Sequence, residues 1–250
     1  DMVGVKLNAL GLSDLQDSPS IGRFSHINNA IIHSLGEIGI QSNQVITWDR
    51  SDEELRSAGL TISKEAEIAQ VKGIKETRRG EGNYHPTSYP VGTLSTKVCT
   101  ILADECTALI NVPVLKTHRN AGISGSLKNH YGTIDNPREF HADNCNNPGI
   151  AEINMVKPIQ EKQKLIICDA LMGLYDGGPR WSPESMWAYE GIILGTDPVA
   201  VDAIMLKIIN QKRNEEGLEP VETATHIALS GEAGLGNHSL AMIDLEEITG

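Results

Sequence analysis

Aromatic residues are scarce in this sequence: 4% of 250 residues, with two Phe, three Trp and five Tyr. A core must therefore be built from aliphatic side chains, which suits strands covered by helices on both faces better than a β-sandwich. Cysteine is also rare, and Cys99, Cys106, Cys145 and Cys168 stand far apart with no Cys-x-x-Cys among them. Cubane clusters and structural zinc sites draw on closely spaced pairs, so no iron–sulfur cluster is expected from this chain and buried free thiols are the expected state of all four. No apolar run approaches the roughly 20 residues that cross a bilayer, so no transmembrane segment is expected. The residues after Asp1 lack a charged segment leading into an apolar one, and a start at Asp rather than Met leaves room for a removed upstream signal. A cytoplasmic and an exported location therefore both stay open. Positive charge is in deficit, with a formal net charge of -12 and Lys and Arg scattered along the chain. Polynucleotide backbones are held by clustered cations, so nucleic acid is not an expected partner, and a small anion would need a local pocket.

What is present is enough aliphatic material, 40% hydrophobic residues overall, to fill one large core without disulfides or metals. The expectation is a single α/β domain over residues 1–250, with a mixed or mostly parallel sheet flanked by helices. Met2 to Asn8 reads as an opening strand. Ile21, Ile27, Ala30, Ile31, Leu35 and Ile38 recur at helical spacing, with Gly39 past the last turn, and Val45 to Trp48 reads as a second strand, giving a βαβ-like opening. From Ser51 to about Gly92 the pattern weakens into an irregular excursion, with a short helix near Glu53 to Ala58. Lys75, Arg78 and Arg79 there are expected on a solvated basic face. Strands are predicted at Val98 to Leu102, Ala108 to Val112 and Leu165 to Cys168, the last ending at Asp169. Thr196-Asp197-Pro198 supplies a cap and a first-turn proline for a helix from about Pro198 to Ile209. A helix around Val221 to Leu229 and a strand near Met242 to Leu245 finish the chain.

The densest polar constellation is NVPVLKTHRNAGISGSLKNHYG, Asn111 to Gly132, directly after a predicted buried strand. Ligands of open α/β sheets bind beyond the carboxyl ends of strands, which makes this segment a candidate site. Lys116, His118, Arg119, Asn120, Lys128, Asn129 and His130 bring donors for an oxyanion, and a neutral His can also move a proton or bind a metal. Gly122, Ser124, Gly125 and Ser126 can form a loop and helix entrance whose amides meet phosphate or carboxylate. Ordinary N-caps at Ser124 or Ser126, with Lys128 and Asn129 facing water, is the competing reading. His118, His141 and Asp143 are candidate metal ligands by residue type, without a spacing motif behind them. Walker A, GxSxG, GxGxxG and kinase motifs are all missing.

Five segments in order, NVPVLKTH at Asn111 to His118, SLKNHYG at Ser126 to Gly132, LIICDALMGLYDGGP at Leu165 to Pro179, GIILGTDPVAVDA at Gly191 to Ala203 and AGLGN at Ala233 to Asn237, resemble the family called domain of unknown function 362. The resemblance covers much of Ala108 to Gly250, and the first hundred residues match more loosely. It implies that Lys116, Thr117, His118, Lys128, Asn129, Gly132, Asp169, Gly178, Pro179, Asp197, Pro198 and Asp202 stand at the family's motif positions, without giving their roles. Some relatives carry a ferredoxin-like module, which this chain lacks.

The leading expectation is an enzyme or enzyme-like domain that binds a small anionic molecule, with Lys116, Thr117, His118, Ser126, Lys128, Asn129, Asp169, Gly178 and Asp202 as candidate contacts. The alternative is a noncatalytic accessory module docking on a redox or membrane-associated protein partner. A third reading is a metal-dependent enzyme with His118, His141, Asp143 or Asp169 as ligands. For the first, the separate motifs must share one cleft, with Lys116 and His118 just beyond their strand, Asp169 beyond its own, and Gly177-Gly178-Pro179 facing them.

Overall fold

The computed structural model describes residues 1–11 and 23–248. In chain order the elements are β1 (Val3–Lys6), α1 (Arg23–Glu37), β2 (Val45–Ser51), α2 (Asp52–Ser57), β3 (Gln70–Lys75), β4 (Tyr84–Val91), β5 (Leu94–Cys99), β6 (Ala108–Asn111), β7 (Val114–His118) and β8 (Gly122–Ile123). They continue with α3 (Ser126–Asn129), α4 (Ile150–Asn154), α5 (Lys157–Lys162), β9 (Gln163–Leu174), β10 (Met186–Gly195), α6 (Pro198–Glu215) and α7 (His226–Glu232), joined by short 3-10 and π turns.

The main sheet runs β3-β2-β1-β6-β9-β7-β8, with β10 pairing with β9. Pairs β1–β2, β1–β6, β2–β3, β6–β9 and β7–β9 are parallel, while β8 and β10 pair antiparallel with β7 and β9. The fold is thus α/β with a mostly parallel mixed sheet. β6 and β7 are one extended stretch broken at Val112-Pro113, both lying along β9. Pro113 has no N–H to give the ladder, yet its carbonyl accepts from Asp169 N at 2.9 Å, so the pairing resumes past the break.

Alternation along the strands sends side chains to two apolar layers. Val5, Val45 and Ile110 pack with Phe24, Ile27, Ile31 and Leu35 of α1 on one face. Trp48, Leu109, Ile166 and Cys168 pack with Leu127, Ile153, Val199, Met205 and Ile209 from the later helices on the other. Covering both faces explains why all four residues of β1 are buried. α6 starts where its local chemistry requires: Asp197 Oδ1 accepts from Val199 N and Ala200 N at 2.8 and 2.9 Å, and Pro198 occupies the first turn.

Several elements differ from expectation. The excursion over residues 51–92 contains α2 as expected, but it also supplies β3, the edge strand next to β2, and β4, which forms a hairpin with β5. The strand placed at Val98 to Leu102 ends at Cys99 and gives way to a π-helical turn, Ile101–Glu105. Leu165 to Cys168 is the middle of a 12-residue strand, so Asp169 lies within β9. α6 runs on to Glu215, and α7 begins only at His226 because Val221 N bonds Asn210 Oδ1 rather than starting a helix. Met242 to Leu245 forms no strand, and a 3-10 turn, Leu240–Met242, stands there instead. In α1, Ile27, Ile31 and Leu35 are buried while Ala30 faces outward; Ile38 is exposed in the turn just past the helix, and Ile21 lies outside the described residues. Among the described residues no helix is long and apolar enough to cross a membrane.

Candidate functional site

The carboxyl ends of β1, β2, β3 and β7 open into a cleft of about 860 Å³. Its inner wall carries Lys6 and Asn8 after β1, Asp49 and Arg50 at the end of β2, His118 at the end of β7, and Lys128 and Asn129 on α3. Lys75, Arg78 and Arg79, from and beyond β3, form one rim, and Asp135, Arg138, Glu139 and His141 the other. Seven Lys and Arg thus line the cleft against four Asp and Glu, in a chain of net charge -12. Arg78 and Arg79 are exposed, as expected, while Lys75 is half-buried with its Nζ 5.8 Å from the Tyr84 ring centroid, and all three face this cleft.

Part of that charge is compensated internally. Lys6 Nζ is buried and donates to Asp49 Oδ1 at 2.6 Å and to Asn129 Oδ1 at 3.2 Å. Asp49 is held by the backbone as well, accepting from Ala9 N at 2.7 Å and Arg50 N at 2.8 Å. Glu54 takes a two-pronged contact from Arg50 and a further one from Arg78 at 3.4 Å. By contrast, Lys75, Arg79, Lys128 and Arg138 have no carboxylate at salt-bridge distance among the described residues.

Lys128 is the unusual member. It is buried, and its Nζ lies 3.1 Å from the Tyr131 ring centroid and 3.5 Å from His141 Nε2. Burial, aided by the Arg50 charge and opposed by Cys145, brings its pKa down to about 7. His141 Nδ1 sits 2.7 Å from Pro137 O, so the ring proton lies on Nδ1 and Nε2 offers a lone pair to the amine. His118 has the opposite tautomer: its Nδ1 accepts from Asn120 N at 3.2 Å and Ala121 N at 3.1 Å, which leaves the proton of the neutral ring on Nε2. Burial first, then Lys128, push its pKa down to about 2, so it stays neutral. His141 is lowered by the same two causes.

The other predicted site residues have different places. Lys116 is buried beneath the cleft, its Nζ donating to Leu10 O at 2.8 Å and lying 5.8 Å from the Trp181 ring centroid, and it does not line the cavity. Thr117 Oγ1 accepts from Gly178 N at 3.1 Å, and Gly178 O accepts from Arg119 N at 2.9 Å. A Cβ at Gly178 would come within 1.9 Å of Thr117 O, so this contact demands glycine and fixes the Gly177-Gly178-Pro179 loop against β7. Asp169 is buried in mid-strand, its Oδ1 accepting from Leu171 N at 3.2 Å, and it is also outside the cleft lining. The amides at the start of α3 do meet a carboxylate, one supplied by the chain itself. Asp202 accepts from Ser126 N at 2.5 Å, Ser126 Oγ at 2.8 Å and Leu127 N at 3.2 Å. Asp202 therefore anchors the loop that presents Lys128, and Ser126 has its amide occupied. His130 is buried behind, its Nε2 2.8 Å from Gln163 Oε1, and burial brings its pKa down to about 4.

His118 and His141 do come together, with ring centroids 6.2 Å apart. A bound metal would need a bare nitrogen from each ring. His118 carries its proton on the nitrogen left to the cleft, and His141 offers its lone pair to Lys128. Asp143 sits exposed in a left-handed turn and does not line the cleft. No group of three or more His, Cys, Asp and Glu fit to hold a metal occurs among the described residues. The four cysteines are buried free thiols.

The fold and cleft define a mostly parallel α/β protein with its candidate site at the carboxyl edge of the sheet. A family model described as domain of unknown function (DUF362) matches residues 3–207, and the chain belongs to that family. The match takes in the first hundred residues from residue 3 onward and ends within α6, so Ala233 to Asn237 lies beyond it. No curated protein and no solved structure matches the chain.

Sequence reasoning missed Lys6, Asn8, Asp49, Arg50, Glu54 and Arg138. The signal available for the first four was their position at the ends of strands β1 and β2, the edge where ligands of such sheets bind.

Proposed function

We propose that the protein binds a small anionic molecule in this cleft, as an enzyme or enzyme-like domain acting through Lys128, His118 and His141 on the inner wall. The supporting observation is Lys128, a buried lysine with no carboxylate partner among the described residues, on a cleft that also presents Arg79 and Arg138 with none among them. An unpaired buried cation is costly unless a counter-charge reaches it, and an anionic ligand supplies one. Lys116, Thr117, Asp169, Gly178 and Asp202 act in this reading as the support that sets the wall in place.

The test is thermal unfolding at pH 6.5 with inorganic phosphate, pyrophosphate or citrate against chloride at matched ionic strength. A ligand at 100 times its Kd stabilises by about 2.7 kcal/mol. The expected result is a rise in Tm that Arg79→Ala with Arg138→Ala reduces and Lys128→Met reduces further. No stabilisation by any of these anions, or a rise unchanged by both sets of substitutions, would defeat the reading.

One observation favours the accessory-module alternative. Strand β10 pairs only with β9 among the described residues, and its Ile192 and Leu194 are 53% and 64% exposed. A stoichiometric partner captured from the native host, lost on Ile192→Lys and kept on Lys128→Met, would shift the conclusion to docking.

A further inference from the structure

We infer that Lys128 is a nucleophilic amine that condenses with the carbonyl group of a small compound whose anionic group is held by the cleft rim. The inference rests on the anion-binding reading of the same cleft and adds a reaction and a substrate class to it.

Three geometric observations carry it. First, Lys128 stands apart from the other buried lysines. Lys6 is paired with Asp49 at 2.6 Å, and Lys116 donates to the Leu10 carbonyl at 2.8 Å. Among the described residues the hydrogen-bonding partner of Lys128 is instead a nitrogen, His141 Nε2 at 3.5 Å, and the face of Tyr131 lies against the amine. Second, the Pro137 carbonyl fixes the proton of His141 on Nδ1, so the nitrogen facing the amine is a proton acceptor. Third, two backbone amides occupy Nδ1 of His118, so the ring presents Nε2–H to the cleft as a donor for a carbonyl oxygen. A base beside the amine and a fixed donor nearby are the two groups that carbonyl addition needs. The low pKa of Lys128, about 7, agrees with this: a sizeable share of the amine is uncharged at neutral pH.

In the addition the Nζ lone pair forms the N–C bond while the C=O π pair moves to oxygen, where His118 Nε2–H steadies it. One N–H proton passes through His141 Nε2 to that oxygen, giving a carbinolamine. The second N–H proton follows the same route, the oxygen leaves as water, and the C=N bond forms. Amine and carbonyl yield imine and water, with no change of oxidation state and no further reactant.

The experiment treats the protein at pH 7.5 with glyoxylate, an anionic aldehyde, or propanal, a neutral one. Cyanoborohydride is present to reduce any imine, and the modified lysines are located by peptide mapping. With glyoxylate, Lys128 is expected to label on the order of tenfold faster than exposed Lys157, and on the order of tenfold faster than with propanal. Inorganic phosphate is expected to slow it. Labelling of Lys128 no faster than Lys157 overturns the inference; if phosphate still raises Tm, the anion-binding reading survives alone. Fast labelling by both aldehydes, without protection by phosphate, overturns the anionic substrate class.

Discussion

Replacing Lys128 with Met should make the protein more stable at pH 7, by an amount that shrinks as the pH rises. The folded-state pKa of Lys128 is about 7 against an ordinary 10.5, chiefly because burial disfavours the ammonium. Between those two values the unfolded chain binds a proton that the folded chain does not, so stability rises with pH across that window. Above 10.5 the penalty is absent, and below 7 it is constant at its largest. The two pKa values give a penalty of about 4 kcal/mol at pH 7 and about 2 kcal/mol at pH 9. Met fills a similar volume without a charge to desolvate, so the advantage of Lys128→Met over the native chain should fall by about 2 kcal/mol between pH 7 and pH 9. The window is chosen to silence other groups. His118, His130 and His141 all have lowered pKa values and exert their effect below the ordinary 6.5. The thiols of Cys99 and Cys106, pushed up to about 12 from 9 by burial, act above pH 9 and equally in both proteins. Urea unfolding followed by circular dichroism at pH 7, 8 and 9 measures the difference. Parallel stability profiles for the two proteins across that range would refute the reasoning, since they would mean that the folded amine keeps its ordinary proton affinity.

Two further outcomes test the frame around the site. Asp202→Ala removes the acceptor for Ser126 N, Ser126 Oγ and Leu127 N, so it should cost about 3 kcal/mol in urea unfolding and speed amide exchange at Ser126 and Leu127. Unchanged exchange at those two amides would mean that α3 is held by something else. Lys6→Ala leaves Asp49 buried without its counter-charge and should cost about 3 to 5 kcal/mol, while Lys6→Met with Asp49→Leu should restore much of that; equal losses in the single and double variants would contradict a coupled pair.

The amino-acid sequence by itself determined the features that depend on near neighbours. Asp197 and Pro198 start α6 because a cap and a first-turn proline act within three residues. The aliphatic runs at β1, β2 and β6 mark strands covered on both faces, and Ile27, Ile31 and Leu35 mark the buried stripe of α1. His118 and Lys128, which line the cleft, were legible as candidates because they crowd into one polar segment after a buried stretch. What only the tertiary structure decided is which distant residues meet them. Sheet order puts β1 between β2 and β6, and so brings Lys6, Asp49 and Asn129 into contact across separations that no local pattern encodes. The same order turns Lys75, Arg78 and Arg79 from an unplaced basic run into a rim, and carries Asp202 onto the start of α3, 76 residues from Ser126. It also leaves Lys116 and Asp169 out of the cleft lining, with Lys116 Nζ drawn to the Leu10 carbonyl and Asp169 held within β9 beside β7. Periodicity along a chain fixes which face of an element is buried, whereas charge becomes a site only when packing sets which ends of which strands lie together.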